Sequence, residues 1–404
     1  MPSPSPEEQA ERRRKRLYLL FALFGGGSSW VSTTLAFMEV PIYQRHFKGL
    51  SLSNRLALGY NLGTLPAALW VLALWCGWRP KKRSASIYVL LAIQLVAVTC
   101  LLIAVPKSPF FSVEFLAFAQ FLGGACGYCS QFVCVPYLVS VFENELVGAF
   151  LTGDAASSVI AALIALIQEP ASKPPRFGLA AYVSVAGLPI VLCSIMAFVH
   201  IERTQAGRLP EESSRRLIEG EDQQSTIKPY YLEPLTWKLG LVVFWSQFAD
   251  WGVGDSVYPY ACANANDHRV ESCEMWSNEL SLAAQLVGCA IASRIALNAD
   301  RLTATLWVPV AIYTGWFALL LVTSWRYEDA PRLDERGVLV DLFVLRGLGP
   351  YARAVVPRLI QPCYDRRHHE ALPVFFGVLA VLGNVSGSLV ATGLIGARQF
   401  GNVS

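Results

Sequence analysis

The chain has 404 residues, of which 54% are hydrophobic and 16% charged, with a mean hydropathy of +0.41 and a net charge of +3. A soluble domain carries about 25% charged residues, so this composition excludes a soluble enzyme of this size. The small net charge gives no footprint for nucleic acid, and a polytopic membrane protein remains.

Residues 1–16 end in a basic run, Arg12 to Arg16, ahead of the first apolar stretch, 17–39. As an α-helix that stretch rises about 34 Å, enough to cross a bilayer, and it is too long for the core of a cleaved signal peptide. Gly25, Gly26, Gly27, Ser28 and Ser29 strip it of bulk before Trp30, Ser32, Thr33 and Thr34. Hydroxyls and bare backbone gain nothing from lipid, so this face is expected to turn toward other helices or a wet cavity, with Glu39 and Pro41 at the rim.

Further stretches of spanning length follow at 55–76, 86–105, 113–141, 146–168, 177–200, 237–260, 275–296, 302–325, 338–360 and 370–397, making eleven. In 55–76, Gly59 and Gly63 stand four residues apart and permit close helix contact. Tyr60, Asn61 and Thr64 add a ring and hydrogen-bonding groups. The stretch 113–141 carries Gln120, Gly123, Gly124, Gly127, Ser130 and Gln131 before Pro136, where a kink can open. Asp154 lies two turns inside the next span, either as a functional carboxylate or as an interfacial helix-start residue. Trp245, Gln247, Phe248, Asp250, Trp251 and Asp255 combine rings with carboxylates in 237–260, and part of that aromatic content is compatible with an interfacial belt. Arg346, Tyr351 and Arg353 lie in 338–360, where an arginine is costly unless it faces water or a carboxylate, or snorkels.

One connection is long, the polar segment 201–234, rich in Glu, Arg, Gln and Ser and expected to be flexible. It divides a six-helix half, 1–200, from a five-helix half, 235–404. With the N-terminus inside, alternate loops place 20 Lys and Arg on the inner side and 11 on the outer, with Arg346 and Arg353 left in a span. Positive residues favour the cytoplasm, which predicts a cytoplasmic N-terminus and an extracellular C-terminus. That topology puts Cys262 and Cys273 in one outside loop, where an oxidising compartment permits a disulfide; two free thiols is the alternative. The sequon Asn402-Val403-Ser404 falls on the same side. The other cysteines, Cys126-x-x-Cys129 included, read as small apolar residues. No phosphate loop, zinc-ligand spacing or nucleophile motif is present, so no catalytic residue, metal or cofactor is expected.

Several strings resemble one family. Leu23-Phe24-Gly25, Gly27-Ser28, Trp30 and Glu39-Val40-Pro41, then Leu56-Ala57-Leu58-Gly59 with Asn61-Leu62-Gly63, are similar to the first two spans of the eukaryotic riboflavin transporters. So are Ser130 to Leu138, Phe150, Gly153, Ser157-Ser158 and Ala162 to Gln168 for the fourth and fifth. Tyr258 to Cys262, Tyr351-Ala352-Arg353 and the 370–397 span fit the later part. The match runs over nearly the whole chain and rests on the order of short motifs. Thr33 and Thr34 stand where the family tends to have asparagine beside the tryptophan. Gln131 replaces another asparagine, and Gly153-Asp154-Ala155 replaces glycine-glutamine-glycine.

The resemblance implies an all-α polytopic membrane protein with eleven transmembrane helices in a 6+5 arrangement, similar to the major facilitator and nucleoside carriers. It implies plasma-membrane uptake of riboflavin by alternating access, with a small-molecule substrate and the bilayer as partners and no enzyme chemistry. Aromatic stacking and hydrogen bonding then fall to Trp30, Thr33, Tyr60, Asn61, Gln131 and Trp251, and gating or coupling to Glu39, Asp154 and Arg353. A carrier of nucleosides or another small polar aromatic solute, and a receptor or scaffold without flux, are the alternatives.

Overall fold

The computed structural model describes residues 5–47, 51–76, 78, 83–170, 174–204, 233–265, 270–295, 303–325, 333–365, 368–369 and 371–396. The central part of the expected linker, 205–232, and the sequon at 402–404 lie outside the described residues. The chain forms two compact units, Met1–Ser225 and Thr226–Ser404.

In the first unit α1 (Pro6–Gly27) begins with a capping box. The Ser5 hydroxyl accepts the Glu8 N–H at 3.3 Å, and the Glu8 carboxylate accepts the Ser5 N–H at 3.1 Å. The expected span 17–39 is not one straight helix. It breaks at Ser28 to Trp30, and α2 (Val31–Met38) leaves at 58° to α1. Just before the break the glycines bring two backbones together. A Cβ on Gly25 would lie 1.9 Å from the Phe150 carbonyl oxygen, and one on Gly153 would lie 1.8 Å from that of Ala22. Backbone therefore meets backbone where α1 crosses α8 (Asn144–Gln168).

The short α3 (Val40–His46) leads to α4 (Ser51–Leu62) and α5 (Thr64–Trp75), which together cover the second expected span. The helices α6 (Arg83–Ile103), α7 (Val113–Val141), α8, α9 (Leu179–Ala186) and α10 (Leu188–Thr204) complete the unit. The central helix is α7, which packs against α4, α5, α6 and α2, while α1 packs against α8 and α10. Leu35, Tyr43, Leu56, Val98, Leu101, Leu116, Tyr182 and Val191 fill its core. Loop contacts sort the helix ends. Arg14 pairs with Glu145 at one end, and Arg45 donates to the Pro170 carbonyl at the other.

The second unit contains α11 (Pro234–Gln247), a π-helical segment (Phe248–Gly254), α12 (Asp255–Ala265) and α13 (Val270–Arg294). A short π-helical turn (Thr303–Trp307) then precedes α14 (Val308–Ser324), α15 (Glu335–Cys363) and α16 (Ala371–Gly396). Here α15 packs on α13, α14 and α11, while α16 covers α11 and the first π segment. Cys262 and Cys273 are joined with their Cα atoms 5.7 Å apart. They stand in the facing ends of α12 and α13, both fully buried, rather than in a loop as the sequence suggested.

Large apolar side chains face outward on both units. Leu65, Leu69 and Leu72 of α5, Met196 of α10 and Leu389 of α16 are between 55% and 68% exposed. Aqueous proteins rarely leave such continuous faces uncovered, whereas a bilayer solvates them. Each of the eleven expected stretches is helical in the described residues. Six helices are long and apolar enough to span, or seven if the bent α1 and α2 count as one. The α15 helix falls outside that set and carries the buried charges described below.

Candidate functional site

Two polar clusters sit inside these helical units, one in each. In the first unit the break between α1 and α2 puts Trp30 against α7 at a glycine. A Cβ on Gly127 would lie 2.4 Å from the Trp30 ring, so only glycine admits the indole there. Trp30 meets Tyr128 edge-on at 5.1 Å between centroids and Tyr60 at 5.8 Å, and Tyr60 stacks on Tyr128 at 5.8 Å with 19° between planes. The Tyr128 hydroxyl donates to Asn61 Oδ1 at 3.3 Å. Trp30 and Asn61 are half-buried and Tyr60 is buried. The result is an amphipathic aromatic cluster held by α2, α4 and α7, of the kind that takes a flat heterocycle. Thr33 is buried one turn further along α2, and Gln131 is half-buried one turn beyond Gly127 on α7.

Two of the expected charged residues belong to the same unit. Asp154 on α8 accepts a hydrogen bond from the Ser29 hydroxyl, tying α8 to the broken part of the first span. Glu39, at the joint of α2 and α3, is fully buried, with Gln168 Nε2 donating to its Oε2 at 3.4 Å. Gln168 also donates to the Phe177 carbonyl at 3.1 Å. The Glu39 Oε1, Gln168 Oε1 and Tyr43 hydroxyl atoms are buried without a hydrogen-bond partner among the described residues.

In the second unit α15 places Arg346, Gly349 and Arg353 on one face, since steps of three and four residues return to the same side of a helix. Asp250, in the π segment, inserts between the two guanidiniums. Its Oδ1 lies 2.8 Å from Arg346 Nη1 and its Oδ2 lies 2.9 Å from Arg353 Nη2. Gly349 makes the room, because a Cβ there would lie 3.1 Å from Asp250 Oδ2. The side chains of Asp250, Arg346 and Arg353 are 1%, 8% and 15% exposed, so these charges are desolvated. Arg353 Nη1 also donates to the Ser246 carbonyl at 3.4 Å, and the Tyr313 hydroxyl donates to the same oxygen at 3.1 Å. The Trp251 ring lies 4.6 Å from Arg346 Cζ, a cation–π contact. A π-helical turn often marks a functional position, and this one carries both Asp250 and Trp251.

Of the residues expected from sequence, Trp30, Thr33, Tyr60, Asn61, Gln131, Glu39 and Asp154 belong to the first unit. Trp251 and Arg353 belong to the second and share the Asp250 cluster. Tyr128 completes the ring cluster and was not singled out, although it stands among the glycines of 113–141 that were. The arginines were legible as costly and Asp250 as a carboxylate among rings, yet nothing local in the sequence pairs them. Gln94 and Gln120, both fully buried, and Asp341, fully buried with both carboxylate oxygens unpartnered among the described residues, are further polar groups inside the helices. The thiols of the Cys126-x-x-Cys129 pair are free, and Cys126 donates to the Leu90 carbonyl at 3.4 Å as an ordinary helix contact. Among the described residues no group of His, Cys, Asp and Glu could hold a metal ion.

No family model and no curated protein matches the chain. Among solved structures it is similar to the E. coli fucose:proton symporter FucP, at 13% identity and a TM-score of 0.55, over 96% of this chain and 92% of that one. It is similar as well to the human organic anion transporter MFSD10, or TETRAN, at 13% identity and a TM-score of 0.58, over 98% of this chain and 96% of that one. The likeness is one of fold: the chain is an all-helical polytopic membrane protein of major facilitator architecture.

Proposed function

We propose that the chain is a plasma-membrane carrier that takes up riboflavin by alternating access. The observation that carries this reading is the Trp30, Tyr60 and Tyr128 cluster with Asn61 at its edge. A tricyclic flavin has a large π face and an imide edge, and rings flanked by an amide match both. The ordered motifs shared with riboflavin transporters and a fold shared with two transporters support the same reading. Gln131 and Thr33 border the ring cluster and supply further hydrogen bonds, and in the second unit Trp251, over Arg346, is the residue we assign to substrate binding. Glu39, Asp154 and Arg353 act as gating or coupling charges.

The Arg346 and Arg353 guanidiniums beside the Trp251 ring favour a second reading, in which the solute is an aromatic anion. Uptake of labelled riboflavin by a strain unable to make the vitamin separates the two. Expression of the chain is expected to confer saturable uptake, inhibited by unlabelled riboflavin and indifferent to benzoate and to uridine. Flux of labelled benzoate in place of riboflavin points to the anion, flux of labelled uridine in its place to a nucleoside carrier, and no flux of any of the three to a receptor or scaffold.

A further inference from the structure

Next to the ring cluster, α2 presses Ser32 and Thr33 onto the glycine face of α7. A Cβ on Gly123 would lie 2.4 Å from Ser32 Oγ and 2.8 Å from Thr33 Oγ1. Ser32 Oγ donates to Gln94 Oε1 at 3.3 Å. Gln94 reaches this place because α6 runs antiparallel to α7: Leu90 is level with Cys126, so Gln94 comes level with the Gly123 turn. Gln120 stands one turn before Gly123 and Gly124 on α7. Gln94 and Gln120 are fully buried and Thr33 is 7% exposed.

Four polar atoms are left over. Thr33 Oγ1, Gln94 Nε2, and Gln120 Oε1 and Nε2 have no hydrogen-bond partner among the described residues. Buried amides are normally paired, and leaving them bare is costly wherever water is scarce. The three side chains that carry them are uncharged, and together they offer both donors and acceptors. A hydroxyl is itself donor and acceptor, so a chain of hydroxyls satisfies such a set, whereas an ion finds no opposite charge in it.

We propose that Thr33, Gln94 and Gln120, positioned by Ser32 and the Gly123 turn, form a subsite for a neutral polyhydroxyl chain, the ribityl arm of the flavin, beside the rings that take its tricycle. This rests on the riboflavin reading above.

The test compares riboflavin with lumiflavin, which keeps the tricycle and has a methyl group in place of the ribityl chain. In the full-length chain, Gln120→Met and Gln94→Met replace an amide by an apolar group of similar length, and Thr33→Val is nearly isosteric, so one of the three is available if another fails to accumulate. Each is expected to raise the riboflavin KM about tenfold, the effect of one lost hydrogen bond, while the lumiflavin inhibition constant stays within about twofold. Equal weakening of both ligands, or no change in either, overturns the subsite and leaves riboflavin uptake standing. Absence of riboflavin uptake by the unaltered chain overturns the reading beneath it as well.

Discussion

Asp250 is the residue whose loss has the clearest physical consequence. It lies between Arg346 and Arg353 and is almost completely shielded from solvent, so neither guanidinium has water to replace the carboxylate. Removing one partner from a buried ion pair costs about 3–5 kcal/mol, because the remaining charge is stranded. Asp250→Asn removes the carboxylate that the two arginines, seven residues apart on one helix face, share. We expect it to lower the melting temperature of the detergent-purified protein sharply. Arg353→Gln in the same background is expected to return part of the loss, with a coupling of about 1–3 kcal/mol in the double-mutant cycle. Costs that simply add would mean that the three groups do not act as one charge cluster. The sequence showed the two arginines as expensive intramembrane charges and Asp250 as a carboxylate among aromatic residues. It could not show their meeting, because the arginines lie far along the chain from Asp250 and only the packing of the π segment near α15 joins them.

At the scale of elements, hydropathy located most helices well and their interruptions poorly. The expected 113–141 span is α7 (Val113–Val141), and 146–168 is nearly α8 (Asn144–Gln168). The first expected span bends by 58° and the seventh contains a π-helical turn, and averaged hydropathy marks neither interruption. The cue in the first was the run Gly25 to Ser29, whose reading as a face toward other helices matches the α1 and α8 crossing. Gly25→Leu is expected to push the two helices apart and to cost several kcal/mol, more than the roughly 1–3 typical of an overfilled core, because the obstacle is backbone. Gly315→Ala on α14 is the control. A Cβ there meets nothing within 4 Å, so it should leave stability unchanged or raise it by up to about 1 kcal/mol through helix propensity. Thermal unfolding of both variants in one detergent measures the contrast, and similar losses would argue against the close crossing.

The whole molecule raises a question of parity that length and apolarity do not answer. Eleven stretches are helical, but only six or seven meet the composition of a lipid-facing span. The polar residues that lower hydropathy are buried on the protein side of their helices, as Asp341, Arg346 and Arg358 of α15 show, so a hydropathy criterion undercounts helices that line an interior. If all eleven stretches cross, the two termini lie on opposite sides, and the excess of Lys and Arg on alternate loops then predicts a cytoplasmic N-terminus. With the N-terminus inside and eleven crossings, the disulfide between Cys262 and Cys273 would fall on the outer side, where oxidised cysteines persist. We expect an epitope tag at the C-terminus to be stained on intact cells and one at the N-terminus only after permeabilisation. A tag inserted near position 215 should behave like the N-terminal one, since six crossings return the chain to the inner face. Staining of both termini from the same side would require an even number of crossings. It would mean that one of the eleven helical stretches lies within a leaflet or folds back on itself, and the bent first span is the stretch whose geometry best suits such a path.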